Sequence, residues 1–143
     1  MNFSEIYPDS CSSVALAVRC GNLTRLKELI QEKKPFEIQD NRGWRPVHEA
    51  AYWNHSHCLE YLLSLGKLIF TIYFCLRIRL YILFYFFFIF GDIQINSTTF
   101  EGQTALWLAA YNNCIASVGS LLNAKAMVNI PNNEDVTPLH IGI

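Results

Sequence analysis

The chain has 143 residues, of which 52% are hydrophobic and 14% aromatic, and its formal net charge at pH 7 is −1. This length is enough for one small domain with a single core. The near-neutral charge gives no reason to expect nucleic acid or anionic lipid as a partner. Ten of the 20 aromatic residues fall within residues 70–90, so the hydrophobicity is concentrated in one segment.

The N-terminus and the cysteines indicate a reducing compartment. The first residues, MNFSEIYPDSC, contain neither the basic region nor the apolar region of a signal peptide. Five scattered cysteines form no CxxC pair, a pattern that fits reduced thiols better than a disulfide framework. We therefore expect a cytoplasmic protein, with membrane association as the alternative.

A repeat becomes visible when two stretches are laid over each other. Residues 40–66 read DNRGWRPVHEAAYWNHSHCLEYLLSLG, and residues 99–125 read TFEGQTALWLAAYNNCIASVGSLLNAK. In this register Gly43 matches Gly102, and each copy continues with Ala-Ala-Tyr and then Leu-Leu. A further copy begins near Asn132, and residues 14–30 have the spacing of a divergent first copy.

The matched residues predict a hairpin loop followed by two short helices. Glycine in the loop permits a tight turn. Thr104 and Thr137 stand where a helix needs an N-cap, and Pro46 and Pro138 occupy the first helical position, where a missing N–H costs nothing. Each copy is therefore expected to form a helix–turn–helix unit behind its hairpin.

Small and apolar residues predict how these units pack. The alanine pairs allow the first helix to lie close to its neighbours, and the leucine pairs supply the apolar stripe of the second helix. Between the two helices, Asn54 and Asn113 stand at a position that needs left-handed backbone, which asparagine tolerates.

These residues resemble the ankyrin repeat, whose pattern includes D-x-x-G-x-T-P-L-H-x-A-A. The resemblance implies an all-α ankyrin solenoid that is truncated and interrupted by a hydrophobic insertion. It also implies that His48 and His140 form structural hydrogen bonds to the adjacent hairpin, whereas Trp107 at the same position leaves that bond open. The expected units are a divergent first repeat (1–39), a second repeat (40–66), the insertion (67–92), a junction with the third repeat (93–131) and a truncated fourth repeat (132–143).

The insertion is defined by its spacing. Ala105 and Pro138 are 33 residues apart, which is the ankyrin period, whereas Pro46 and Ala105 are 59 residues apart, 26 more than that period. Removing the 26 residues 67–92 restores the period and joins Gly66 to Ile93. The insertion therefore interrupts a repeat junction. Because it follows the second helix of a repeat, we expect that helix to continue into it.

Three interpretations of the insertion remain open. Residues 68–90 would form a helix of about 34 Å, which suffices to span a bilayer core of about 30 Å. Arg77 and Arg79 lie near the centre of that span, and each disfavours insertion by about 2.5–3.5 kcal/mol. A composition rich in Phe, Ile, Tyr and Leu is what AU-rich untranslated sequence encodes. We therefore favour a retained intron or gene-prediction error over a membrane anchor or a soluble insertion.

No residue pattern indicates catalysis. The sequence has no Walker loop, no GxGxxG and no Ser–His–Asp set in a matching context. His55, His57 and Cys58 are neighbours in sequence, but in the repeat register their side chains diverge, so we expect no metal site. The prediction is a protein that is not an enzyme and that needs no cofactor.

The predicted activity is protein binding. In ankyrin stacks the hairpin tips and the first-helix faces form an extended concave surface. Several variable positions of that surface carry Trp, Tyr or Arg, the types that anchor interfaces. The alternative is that some of these side chains pack on the next repeat. The candidate partner-binding residues are Arg42, Trp44, Tyr52, Trp53, Gln103, Tyr111 and Asn112.

The stretch DNRGWRPVHEAAYWNHSHCLEYL, together with TFEGQTALWLAA, is similar to the N-terminal repeats of the ankyrin repeat and SOCS box proteins. The specific part of this similarity is Asp40–Ala51, since its Trp44 and Glu49 are absent from the general repeat pattern. This resemblance implies a substrate-binding unit of a ubiquitin ligase receptor, in which a SOCS box recruits elongins and a cullin. The sequence contains no SOCS box, so we do not expect it to bind elongin or cullin. The alternative function is a membrane-tethered ankyrin protein with residues 68–90 in the bilayer.

Overall fold

The computed structural model describes residues 12–65 and 95–142, and within these ranges the chain is helical with an isolated β-bridge between Thr98 and Thr104. The predicted all-α class is therefore confirmed. The helices are α1 (Ser13–Arg19), α2 (Leu23–Gln31), α3 (Pro46–Tyr52), α4 (residues 56–65), α5 (Ala105–Tyr111), α6 (Ile115–Asn123) and a short 3-10 helix (Pro138–Ile141).

The helix starts follow from the local sequence. Thr104 Oγ1 accepts a hydrogen bond from the backbone N–H three residues on at 3.1 Å, and Thr137 Oγ1 does so at 3.4 Å. Pro46 and Pro138 are the first residues of their helices. The predicted N-caps and proline positions are therefore confirmed, because side-chain oxygens satisfy backbone donors that a helix start leaves free.

The turns between paired helices depend on asparagine. Asn54 has a φ of 57° and Asn113 a φ of 55°, both in the left-handed region that was predicted for them. The side chain of Asn54 also accepts a hydrogen bond from Ser117 Oγ at 3.2 Å. Asn54 therefore reverses the chain and connects its own repeat to the next one.

The three hairpin loops have the same backbone hydrogen bonds. In each loop, one backbone N–H donates at 2.9 Å to the carbonyl oxygen four residues on, and the donors are Asp40, Thr99 and Asn132. The tight turn is made by Gly43 and Gly102, with φ of 76° and 77°, and in the last loop by Asp135, with φ of 60°. Three different sequences thus adopt one loop conformation.

Successive hairpins are joined by equivalent backbone hydrogen bonds. The N–H of Phe100 donates to the carbonyl of Arg42 at 3.0 Å, and the N–H of Asn133 donates to the carbonyl of Glu101 at 3.0 Å. The first of these bonds crosses the interrupted junction, and the second lies between contiguous repeats. The two repeats that flank the insertion therefore stack as contiguous repeats do.

The core runs through the stack between the paired helices. Helices α1, α3 and α5 lie side by side, with α2, α4 and α6 behind them. Four alanines of α3 and α5 are fully buried, so the first helices pack closely, and leucines of the second helices fill the space behind. The largest of these core side chains are Val14, Val18, Leu26, Val47, Leu59, Leu62, Leu106 and Leu121.

The insertion at 67–92, and the predicted continuation of a helix into it, lie outside the described residues. In the two described ranges, no helix combines the length and the apolar character that crossing a membrane requires.

Two glycines give a matched test of the hairpin stacking. A Cβ at Gly102 would lie 2.8 Å from the backbone nitrogen of Asn133, and the φ is positive, so Gly102→Ala should lower the free energy of unfolding by about 1–3 kcal/mol. A Cβ at Gly119 would meet nothing within 4 Å, so Gly119→Ala in helix α6 should raise it by about 0.5–1 kcal/mol. Urea unfolding followed by circular dichroism measures both, and a Gly102→Ala variant as stable as the parent would contradict the stacking geometry.

Deletion of residues 67–92 tests the interpretation of the junction. The flanking repeats already stack, so a shorter connection costs less loop-closure entropy, and we expect the melting temperature to rise by at least about 4 °C. Scanning calorimetry measures the shift. In a second variant, residues 67–92 are replaced by a Gly/Ser linker of the same length. Comparison of the two variants separates the effect of the length of the insertion from the effect of its apolar sequence. An unchanged or lower melting temperature after the deletion would contradict the interpretation that residues 67–92 interrupt a junction between two repeats.

Candidate functional site

An open groove of about 560 Å³ lies between the hairpin loops and helices α3 and α5. Its wall combines aromatic rings with amide and acidic side chains, a composition typical of recognition surfaces. The groove is contributed by both repeats that flank the insertion. Its lining residues are Trp44, Tyr52, Glu101, Gln103, Trp107, Leu108, Tyr111, Asn132, Asn133 and Glu134.

The aromatic rings of the groove hold one another in place. Trp44 meets Tyr52 edge to face, with ring centroids 5.2 Å apart. Trp107 stacks on Tyr111 at 5.2 Å with an interplanar angle of 13°. Trp107 is buried whereas Tyr111 is 64% exposed, so the tyrosine presents a supported ring to solvent. Such pre-positioned rings lose little conformational entropy when a partner binds.

In helices α3 and α5, a buried ring connects the helix to the next hairpin. In α3, His48 Nε2 lies 2.9 Å from the carbonyl oxygen of Ser97, which is the hydrogen bond predicted for this histidine. In α5, Trp107 Nε1 donates to the carbonyl oxygen of Val136 at 3.0 Å. The bond that the sequence left open at Trp107 is therefore made by an indole in place of an imidazole.

The environment of His48 defines its protonation state. Its Nδ1 accepts a hydrogen bond from the Arg45 N–H at 3.0 Å, so Nε2 carries the proton that is donated to Ser97. Burial lowers the pKa of His48 to about 4, against the opposing effect of the Ser97 hydrogen bond. The ring is neutral at pH 7.

A buried ionic network lies beneath the first hairpin. Glu49 is 1% exposed, and its carboxylate accepts hydrogen bonds from Arg19 Nη2 at 2.7 Å and Arg42 Nη2 at 2.6 Å. Trp53 Nε1 donates to the same carboxylate at 3.1 Å. Asp40 accepts from Arg42 Nη2 at 2.6 Å. Two arginines thus neutralise two carboxylates, which makes burial of these charges tolerable.

Four of the predicted partner-binding residues line the groove: Trp44, Tyr52, Gln103 and Tyr111. They come from the first hairpin, helix α3, the second hairpin and helix α5. The structure therefore brings together residues that lie on either side of the insertion. Their role in binding stays a prediction.

The other three predicted residues make contacts within the molecule. The Arg42 guanidinium is held by Asp40 and lies 4.2 Å above the ring centroid of Trp44. Trp53 is bound to the buried Glu49. Asn112 Nδ2 donates to the carbonyl oxygen of Tyr52 at 3.1 Å, across the repeat junction. These three side chains support the groove from behind or beside it.

Sequence reasoning did not select the acidic residues of the groove. In the repeat register, Glu101 and Glu134 occupy the hairpin position that Arg42 occupies in the first loop. Selecting the same hairpin position in every repeat, and not only Arg42 in the first, would have identified both glutamates. Trp107, Leu108, Asn132 and Asn133 were missed for a different reason: they join the lining only because the repeats stack.

The histidine and cysteine neighbours at the start of helix α4 have different surroundings in the fold. His55 Nε2 lies 3.0 Å from the carbonyl oxygen of Arg19, whereas His57 is exposed and Cys58 is buried. Burial raises the pKa of the Cys58 and Cys114 thiols, which disfavours the reactive thiolate. In the part of the chain that the structure describes, no group of three or more His, Cys, Asp or Glu residues could hold a metal ion.

The repeated hairpin and helix pair, with its concave groove, defines a class of helical repeat proteins that bind others. A family profile described as ankyrin repeats in three copies matches residues 4–71, and an ankyrin repeat profile matches residues 101–133. The chain belongs to the ankyrin repeat family.

The curated relatives extend the similarity. Ankyrin repeat and SOCS box protein 3 of Homo sapiens is 36% identical over 97% of this chain, and that of Bos taurus is 34% identical over 97%. Ankyrin repeat and SOCS box protein 2 of Rattus norvegicus is 30% identical over 85% of the chain. The predicted resemblance is confirmed. The chain spans 22% of the first two relatives and 15% of the third.

The buried His48 predicts a pH dependence of stability. Its folded pKa of about 4 lies below the unfolded value of 6.5, so the unfolded state binds the proton more readily between these two values. The free energy of unfolding should therefore have its full value above pH 6.5 and should decrease as the pH falls towards 4, by up to about 3 kcal/mol, because protonation of His48 then favours the unfolded state. Urea unfolding at a series of pH values measures this slope.

Two glutamine variants isolate the His48 contribution. His48→Gln should flatten the slope between pH 4 and pH 6.5, whereas His140→Gln changes the same repeat position on an exposed 3-10 helix and should leave the slope unchanged. Equal slopes in the parent and in His48→Gln would show that the histidine is not buried in its neutral form.

Proposed function

We propose that this chain is a protein-binding module and that its partner occupies the concave groove. The observation that carries the proposal is the row of aromatic rings across two stacked repeats. Trp44 and Tyr52 stand on one repeat, and Tyr111 stands on the next. Aromatic side chains that are partly exposed yet held by neighbours are the residue types that dominate interface energies.

The rigidity of the groove supports the same proposal. The Arg42 guanidinium is fixed by Asp40 and Glu49, and Trp107 is fixed by its bond to Val136. A surface that is already ordered in the free protein loses less entropy when a partner binds. The buried network therefore favours recognition with little rearrangement of the repeats.

The similarity to ankyrin repeat and SOCS box proteins supports a finer assignment. We propose that the module captures a protein that is the substrate of a ubiquitin ligase, in the cytoplasm. In this assignment the repeats supply recognition, and the SOCS box named in the relatives supplies the connection to the ligase. We propose no catalytic role for the module, in keeping with the binding role of its repeats; the described lining of its groove consists of aromatic, amide, acidic and apolar side chains.

Site-specific photo-crosslinking tests the proposed surface. A photoreactive amino acid is placed at Gln103, which lines the groove, and in a second variant at Glu28, which is exposed on helix α2. Both variants are expressed in cultured human cells and irradiated, and crosslinked proteins are identified by mass spectrometry. We expect a defined set of proteins from Gln103 only, because a groove-bound partner does not reach α2.

Competition decides whether such crosslinks report binding in the groove. An excess of unmodified chain should suppress the Gln103 crosslinks, and an excess of the Tyr111→Ala variant should suppress them less. The same proteins captured from both positions, or no protein captured from Gln103, would contradict the proposed binding surface.

A further inference from the structure

We propose that the groove is selective for a partner segment that carries a lysine or arginine side chain. The cation would lie against the exposed ring of Tyr111, with the carboxylates of Glu101 and Glu134 within its reach. This inference rests on the proposed function and adds the chemistry of the partner to it. Three observations lead to it: the charge balance of the groove, the exposure of its rings and its free amide.

The first observation is the charge balance. Among the described residues of the buried network, the two carboxylates of Asp40 and Glu49 are matched by the two guanidinium groups of Arg19 and Arg42. The charged residues that line the groove itself are Glu101 and Glu134, both of them exposed. Within the described residues, neither carboxylate takes part in an ion pair. The described lining of the groove is therefore negative, and it attracts cations and repels phosphate or carboxylate groups.

The second observation concerns the aromatic rings. A ring face attracts a cation through its quadrupole, and the first repeat already holds the Arg42 guanidinium 4.2 Å above the centroid of Trp44. One repeat further on, Tyr111 is 64% exposed and stacked on the buried Trp107. At the hairpin position of Arg42, this repeat has Glu101 in place of an arginine. In the repeat register Tyr111 corresponds to Tyr52, and within the described residues no lysine or arginine lies over its exposed ring.

The third observation indicates a peptide as the carrier of that cation. The side-chain amide of Gln103 lines the groove and, within the described part of the chain, makes no hydrogen bond. An amide donates to a carbonyl and accepts from an N–H, which suits the main chain of an extended segment. A ring, two carboxylates and an amide thus match a basic side chain together with its own backbone.

A displayed library of random peptides, selected on the full chain, is the test. We expect the selected peptides to be enriched in lysine and arginine. One labelled peptide is then titrated by fluorescence anisotropy against the parent and the double variant Glu101→Gln/Glu134→Gln. Removing both carboxylates should weaken binding about tenfold, and binding by the parent should weaken at high salt.

Matched variants separate this inference from the proposed function. Glu28→Gln/Glu32→Gln removes two exposed carboxylates from helix α2 and should leave the affinity unchanged. Tyr111→Ala should lower the affinity of any peptide that binds in the groove. Peptides weakened by Tyr111→Ala, but neither basic nor sensitive to the Glu101/Glu134 variant, would overturn the inference and leave the proposed function standing. Peptides insensitive to all groove variants would overturn both.

Discussion

The whole structure depends on stacking, because a single pair of short helices has no other surface against which to bury its apolar face. The stacking geometry is set at the hairpins, where one backbone hydrogen bond joins each loop to the next. Gly43 and Gly102 stand at the points of closest approach, where a side chain would collide with the following loop. The bonds and the missing side chains act together, so the repeats meet at one distance and in one orientation.

The buried polar side chains of the stack hold neighbouring helices and hairpins in this geometry. His48 and Trp107 each use one ring N–H to hold the following hairpin. The carboxylate of Glu49 holds Arg19 of the first helix pair together with Arg42 of the next hairpin. The bonds of His48, Trp107 and Arg19 join elements that are distant in sequence. All of these groups are paired in the folded state, which favours one arrangement of the repeats over looser ones. The aromatic groove can be presented in a fixed shape because these bonds lie behind it.

The sequence predicted those features that depend on residues near one another in the chain. The N-caps at Thr104 and Thr137 and the left-handed turns at Asn54 and Asn113 are confirmed because each needs only a local pattern. The roles of individual groove residues were less accessible to prediction. Arg42, chosen as a partner-binding residue, is bound by buried carboxylates, a fact that depends on how α1, α3 and the first hairpin meet. Asp40 and Glu49 belong to the same repeat as Arg42, but Glu49 also receives Arg19 from the first helix pair, and that contact forms only when the two helix pairs meet.

The groove is assembled from both sides of the interrupted junction, since Trp44 precedes residues 66–94 and Tyr111 follows them. A molecule that touches both walls therefore pulls the two repeats together, and its binding free energy is thermodynamically linked to the free energy of their association. The tether between the repeats sets their effective concentration for one another. Any change in the number of residues between the two repeats would thus alter the affinity of the groove for its partner.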